Sequence, residues 1–566
     1  MKANKLFYGI IGLCSVLCTL YSCSDKVYED LNTDTTKTEK LEPSYQLAYA
    51  EKQIYGDMNY VDVHRLYTYA FTQHLMGCWN TTNYGGQHRS DDNEMSRPWN
   101  NLYTGAFRNL TDAMAHTKDV PEQTNVYAAL MIFRVYVASL LTDFYGDVPY
   151  TEAGLNHLSG ITQPKYDTQE EIYKSFFRDL KAAVALFDKH ANAIENDPMF
   201  NGDIEKWKRF ANSLRMRYAM RISDVLPSLA QAEFEAAYAD GAMLDEGDDA
   251  CVVHENLSYS FGQESYKDFR GNALAKYFYG NDAANNPSYV CKTFWGYLYE
   301  NNDPRTTLIC RFYVDDFMDI FSGEGRIDLT DSLMATQMAN PDKTVASPVK
   351  TGDFSYEPWP SYSEIAGSPL DAQMKEIQSL HPGYEPSKNP RWMRPKLANN
   401  LLRSDNPGVL MSYAEVCFLR AEAAVLGWNA GGAAKGLYEA GIRAAMYFLT
   451  SHYGYEPLSD AVVDAYLAGP NVAFADDADT QKAQINTQAW ILHFHNPAEA
   501  WANARRSDAP TMDVPSIGSM MDGKTESPVR LCYPLKEGTY NKTAYDEAKS
   551  RVGTYNWNAR VWWDAK

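Results

Sequence analysis

Apolar residues recur at spacings of three and four along much of this chain, most clearly from Leu410 to Thr450. Ser412 followed by Glu415 forms a capping box, in which hydroxyl and carboxylate satisfy the first unpaired N–H groups of a helix. Val416, Leu419, Ala423 and Leu426 then line one face, and Gly427 ends the run. Asn429 to Gly432 predicts a turn. A second helix follows with Leu437, Ala440, Ile442, Ala444, Ala445 and Phe448, whose alanines let two helices approach closely. The spacing therefore predicts a helical hairpin of tetratricopeptide-like character.

The same period predicts helices over Ser44–Tyr55, Met58–Met76, Arg97 towards His116, and Gln123–Phe144. Thr168 and Glu171 make a second capping box, with Ile172, Phe176, Leu180, Val184 and Phe187 on one face. Ile204 to about Asp224 carries Trp207, Phe210, Leu214 and Tyr218 inward and leaves Arg209, Arg217 and Arg221 for solvent or ion pairs. Gln481 to Arg505 reads as one further helix. Cys78 to Arg97 breaks the pattern with a loop too long for a connector. From about 241 to 406, and again from 506, Gly, Pro, Asn and Asp become frequent and the period is lost. The expected fold is mainly α, one domain over 44–566. Its helical scaffold lies at about 44–225 and 408–505, and its irregular, loop-rich binding region at about 241–406 and 506–566. Loops on a rigid scaffold are where binding residues usually sit.

Composition changes this picture in two ways. The 566 residues include forty Tyr and twelve Trp, more rings than a core needs, and Tyr suits a wet binding surface. A formal net charge of −21 argues against a nucleic-acid partner, which needs a basic footprint. It also disfavours peripheral binding to anionic lipid, so contact with a membrane needs another device. The N-terminus supplies one. Lys2 and Lys5 precede an apolar run from Leu6 to Tyr21, too short for a spanning helix and right for a signal peptide over 1–22. The run ends Leu20-Tyr21-Ser22-Cys23, which resembles a lipobox with Cys23 as the acylated residue; 23–43 would be the tether. An incidental cysteine after a plain secretory signal is the other reading. The remaining cysteines show no CxxC and no zinc spacing.

Motifs for catalysis are poor. Gly518 to Thr525 matches a phosphate-binding loop letter for letter, but Pro510, Pro515 and Pro528 crowd it and deny the strand before it and the helix after it. His493 and His495 fall on different faces of a helix, so they do not share a metal. Asp476, Asp477 and Asp479 suit a solvated loop, with calcium as the alternative. Paired carboxylates for glycoside hydrolysis remain open, since 73 acidic residues contain many pairs. Nothing calls for a cofactor.

Seven local runs in order resemble the SusD/RagB family of outer-membrane nutrient-binding lipoproteins, in its SusD-like branch. They are Asp30–Asp34, Thr142–Tyr150, Lys206–Arg215, Met411–Val416, Trp501–Ser507, Tyr533-Pro534 with Glu537 and Asn541, and Val561–Asp564. The resemblance implies a scaffold of four tetratricopeptide-like pairs and an anchor in the outer membrane facing outward. It also implies a SusC-like TonB-dependent transporter as partner, an oligosaccharide as ligand, and no catalysis. A peptide ligand, or a lipid-anchored glycoside hydrolase, is the alternative. Sugar faces stack on rings while hydroxyls bridge amides and charges. On that basis the Cys78–Arg97 loop supplies Trp79, Asn80 and Tyr84, with Asp62 from the preceding helix as hydroxyl acceptor. Tyr356, Trp359 and Tyr362 form a second cluster, and Arg391 with Trp392 a third. Cys291 follows a turn at Asn285–Pro287, at a lip or as a buried thiol. Trp99, Trp207, Trp501 and Arg505 are expected to hold the scaffold.

Overall fold

A computed structural model describes residues 41–77, 82–257, 268–275, 288–311, 313–314, 327–328, 375, 395–514 and 520–564. The signal peptide and Cys23 lie outside the described residues. From Pro43 onward the chain clusters as one compact unit. Its principal helices are α1 (Pro43–Gly56), α2 (Arg108–Thr117), α3 (Thr124–Tyr145), α4 (Gln169–Leu186), α5 (Ile204–Arg221) and α6 (Pro227–Ala239). They continue with α7 (Lys292–Glu300), α8 (Tyr413–Val425), α9 (Ala434–His452), α10 (Ala478–Leu492) and α11 (Pro497–Ser507).

Four pairs carry the scaffold: α1 packs on α2, α3 on α4, α5 on α6, and α8 on α9. Helix α4 then meets α5, and α5 meets α8, so the pairs form one continuous stack. The mainly α content and the α8–α9 hairpin are what the periodicity predicts, and the four pairs are what the family resemblance implies. Strands are few and short. Leu75–Gly77 (β1) pairs antiparallel with Ser288–Val290 (β3), and Ala250–Val252 (β2) with Gly408–Met411 (β4). Two further two-residue pairs join 310–311 to 396–397 and 313–314 to 327–328.

Local chemistry explains the helix starts. Thr168 accepts from the Glu171 N–H while the Glu171 carboxylate accepts from the Thr168 N–H, a complete capping box. At Ser412 only half of the expected box forms. The hydroxyl accepts from the Glu415 N–H (3.4 Å), but the Glu415 carboxylate turns away to Arg217.

Two predicted elements are corrected. The helix expected over Met58–Met76 runs only to Phe71, through a π-helical segment at His64–Thr68, and Leu75–Gly77 is strand. The helix expected over Gln481–Arg505 breaks at His493–Asn496, because Pro497 cannot continue it and instead starts α11. Of the solvent or ion pairs expected for the α5 arginines, ion pairs form: Arg217 with Glu415, Arg221 with Glu499, both buried, and Arg209 with Asp248.

Helix α3, with its lead-in turn from Pro121, is long and apolar enough to cross a membrane, yet 78% of its apolar window is buried in the protein. It is a core helix. Trp207, Trp501 and Arg505 are buried as scaffold, and the Trp207 indole donates to Asp197 (2.8 Å). Cys251, Cys291, Cys310 and Cys417 are buried free thiols, and Cys532 is a half-buried one.

Candidate functional site

Strand β3 leads through Cys291, the N-cap of α7, into that helix. Phe294, Trp295, Tyr297, Leu298 and Tyr299 surround α7, too many large apolar groups for one buried face. Phe294 and Leu298 are fully buried, whereas Tyr297 and Tyr299 are half-exposed. Between α7, α10 and the segments 471–472 and 511–513 lies a cleft of about 770 Å³. A smaller recess of about 350 Å³ lies elsewhere, between Trp99, Tyr103 and Tyr540.

The larger cleft is built on stacked rings. Tyr299 lies face to face with Trp295, centroids 5.2 Å apart at 11°. Tyr297 rests edge-on against Trp490 at 5.5 Å and donates to the Thr511 carbonyl (3.2 Å). Tyr438 and Tyr466 complete the aromatic lining. Burial pushes the Tyr297 and Tyr299 phenols up from their ordinary value, so both stay neutral. Behind the wall, Arg305 reaches Gln488 (2.8 Å) and pairs with Asp303 (2.6 Å), which fixes α10 against the turn after α7.

Four amides line the cleft, and all four nitrogens already donate within the protein. Asn301 Nδ2 reaches the Tyr297 carbonyl (2.7 Å), Asn471 Nδ2 reaches Asn301 Oδ1 (3.0 Å), and Gln488 Nε2 reaches the Tyr466 hydroxyl (2.8 Å). Gln484 Nε2 holds the carbonyls of Ala473 (2.9 Å) and Asn471 (3.3 Å). The far wall is pinned by Gln73, whose amide donates to the Asp513 carbonyl (2.7 Å) and accepts the Asp513 N–H (2.9 Å). Gln73 adopts φ 52° to do so. A rigid, aromatic and amide-rich cleft of this size can hold a polyhydroxylated chain, with rings against its C–H faces and polar groups on its hydroxyls.

The residues expected from sequence divide three ways. Trp79, Asn80, Tyr356, Trp359, Tyr362, Arg391 and Trp392 lie outside the described residues. Asp62 is buried, bound to Arg65 (2.5 Å) and facing Arg97 (3.4 Å), so its carboxylate is spent on ion pairs. Tyr84 is buried edge-on to Tyr67 (5.8 Å) under the Arg89 guanidinium. Cys291 is buried with Ala70, Met76 and Met520, and its N–H donates to the His74 carbonyl (2.9 Å). The predicted loop and the cleft share a frame all the same, because β1 pairs with the strand that leads into α7. The cleft itself was missed. Its available signal was the ring density of Phe294–Tyr299, which one core face cannot absorb.

Other constellations are occupied. Glu415, His493 and Glu499 lie close enough to suggest a metal. However, Arg217 bonds Glu415 (2.6 and 2.7 Å) and Arg221 bonds Glu499 (2.7 and 2.6 Å), so the carboxylates are already neutralised and the set does not suit a cation. Asp477 caps α10 through the Thr480 N–H (2.9 Å), and Asp479 pairs with Lys482 (2.9 Å). The phosphate-loop letters are followed by no helix between 520 and 536, and the Met521 N–H donates to the Gln87 carbonyl (2.7 Å) as a strap.

A family model described as "Starch-binding associating with outer membrane" matches residues 35–336 and 363–534. A solved structure described as Bacteroidetes AC2a SusD-like is 65% identical with a TM-score of 0.87, covering 93% of this chain and 100% of that one. A chitin-binding protein is 30% identical with a TM-score of 0.72, over 93% and 100% of the two chains. A chitin-binding SusD homolog from Flavobacterium johnsoniae, 22% identical over 93% and 99%, has a TM-score of 0.66 and shares the fold. No curated protein sequence matches the chain. With the family model over most of its length and a relative at 65% identity, the chain belongs to the SusD-like family of starch-binding, outer-membrane-associated proteins.

Proposed function

We propose that this protein is a non-catalytic, lipid-anchored surface receptor that binds an oligosaccharide in the cleft beside α7 and passes it to a SusC-like TonB-dependent transporter. The observation that carries this reading is the cleft itself: rigid rings and internally tied amides on a scaffold of glycan-binding relatives. The 30% identical chitin-binding protein supports chains of N-acetylglucosamine as the glycan, whose acetamido methyl groups pack on Tyr299 and Tyr297. Trp79 and Asn80 are taken as further ligand contacts on the chemistry of ring and amide alone. Acylation at Cys23 holds the receptor to the outer leaflet, and the helical pairs offer the transporter a stiff face.

Titration calorimetry with chitin-type and starch-type oligosaccharides tests this, with chromatography of the same mixtures. Binding without new products is expected. Cleaved products would replace the receptor with a hydrolase, and retention of peptides alone would remove the sugar assignment. Tyr299→Ala and Trp79→Ala are each expected to weaken binding by about 1 to 3 kcal/mol, a magnitude borrowed from stacking of planar rings. Unchanged affinity in a folded variant would take that ring out of the site.

A further inference from the structure

Asn471 and Val472 line the larger cleft from an irregular segment, 471–475, that belongs to neither helix nor strand. Side chains hold it where no backbone ladder does. Gln484 on α10 makes three bonds to it: Nε2 donates to the carbonyls of Asn471 (3.3 Å) and Ala473 (2.9 Å), and Oε1 accepts the Ala475 N–H (3.0 Å). Gln481 donates to the Ala475 carbonyl (2.8 Å), and the Tyr438 hydroxyl on α9 donates to the Val472 carbonyl (2.9 Å). Val472 is buried, and the Phe474 ring lies against Tyr438 with centroids 5.0 Å apart. Irregular segments without such ties are mobile, so the ties fix where Asn471 stands.

The Asn471 side chain is fixed as well, and its polarity follows from a backbone carbonyl. The Tyr297 carbonyl can only accept, so Asn301 turns its Nδ2 there (2.7 Å) and presents its Oδ1. Asn471 then turns its own Nδ2 to that Oδ1 (3.0 Å). Asn471 is exposed, and among the described residues its Oδ1 and its second N–H have no partner. One free acceptor and one free donor therefore stand at the cleft on a residue held by both backbone and side chain.

We infer that Asn471 is a direct glycan contact, giving its Oδ1 to a hydroxyl and its free N–H to an oxygen of the same sugar, and that Gln484 is the positioning residue behind it. This inference rests on the cleft being the glycan site. Sugar hydroxyls donate and accept at once, and a primary amide matches both roles where a charged group matches one. Polar groups held in place before the ligand arrives lose little entropy on binding. If Gln484 only stiffened the segment, its loss would lower stability and leave affinity alone. Acting through Asn471, its loss weakens binding only while Asn471 is present.

A double-variant cycle tests this, read by calorimetry of the full chain with hexasaccharides of N-acetylglucosamine and of α-linked glucose. Asn471→Ala is expected to weaken the better ligand about tenfold, the worth of two neutral hydrogen bonds. Gln484→Met, which keeps the length and loses all three bonds to the segment, is expected to weaken it about fivefold. The double variant is expected to bind no more weakly than Asn471→Ala alone, since Gln484 then has nothing to place. Hydrogen exchange on the unaltered protein adds a readout without variants: saturating ligand is expected to slow exchange in the peptide spanning 468–477. Full affinity in either folded single variant, or a double variant weakened by the product of the two losses, would overturn the inference and leave the receptor reading intact. So would exchange slowed elsewhere in the cleft but not in that peptide, a result that decides the question even if a variant misfolds. Binding of neither glycan by the unaltered protein would overturn both.

Discussion

A buried carboxylate is tolerated when a cation or several N–H groups meet it, and the acids of this chain divide by how they are met. Asp62 has two arginines. Asp197 accepts from Met199, Phe200, Gly202 and the Trp207 indole. Glu51 has neither: both oxygens are buried without a hydrogen-bond partner, and burial together with the neighbouring Asp197 charge raises its carboxyl well above the usual range. The folded state therefore keeps a proton that the unfolded chain releases. A raised pKa means stability present at low pH and lost as pH rises past the ordinary carboxylate range. Glu51→Gln removes that loss and gives Asp197 an amide donor, so it is expected to stabilise the protein at neutral pH by about 1 to 3 kcal/mol. Thermal melts at neutral and at acidic pH check it, with the gain confined to neutral pH. A lower melting temperature at neutral pH would show that Glu51 is ionised and paired. Sequence reasoning placed Asp62 as a hydroxyl acceptor because residue type alone cannot show that Arg97, far along the chain, reaches back to it.

At the scale of elements, two contacts dock the helical pairs. Arg217 on α5 binds Glu415 at the start of α8 and the Leu410 carbonyl (2.8 Å), all of them buried. Arg217→Met leaves Glu415 buried without that cation and is expected to cost about 3 to 5 kcal/mol, read from denaturant midpoints. A loss below about 1 kcal/mol would mean that Glu415 finds water. Within the α8–α9 hairpin the close approach falls at Gly441, where an added Cβ would meet the Phe418 ring at 2.6 Å. Gly441→Ala is expected to destabilise by about 1 to 3 kcal/mol despite alanine's better helix propensity, as overpacking outweighs propensity. A rise in melting temperature would show that Phe418 can swing aside. The hairpin was legible because capping box, apolar stripe and glycine stop lie within forty residues of one another, roughly the length of one repeat. The break at Pro497 was equally local, and the periodic reading ran through it because the apolar pattern continues on both sides.

For the whole molecule, the buried histidines set acid sensitivity. Burial lowers His64, His74 and His495 to about 3, and His254 to about 4. Between those values and about 6.5 the unfolded chain binds protons that the fold excludes, so stability is full above about pH 6.5 and falls as pH drops. A loss of roughly 2 kcal/mol per histidine is expected between about pH 6.5 and 5, visible as a falling denaturation midpoint. A flat profile over that range would show that these rings are hydrated. What the sequence determined by itself was the scaffold, since helical period, capping boxes and turn glycines act within a few residues, together with seven ordered motifs that resemble one family. Tertiary structure alone decided the site. Gln73, α7, Asn471, α10 and Asp513 come from distant parts of the chain, and only their convergence shapes the candidate cleft and ties its amides to one another and to the backbone. Burial and partnership are properties of the folded surface, and no local pattern encodes them.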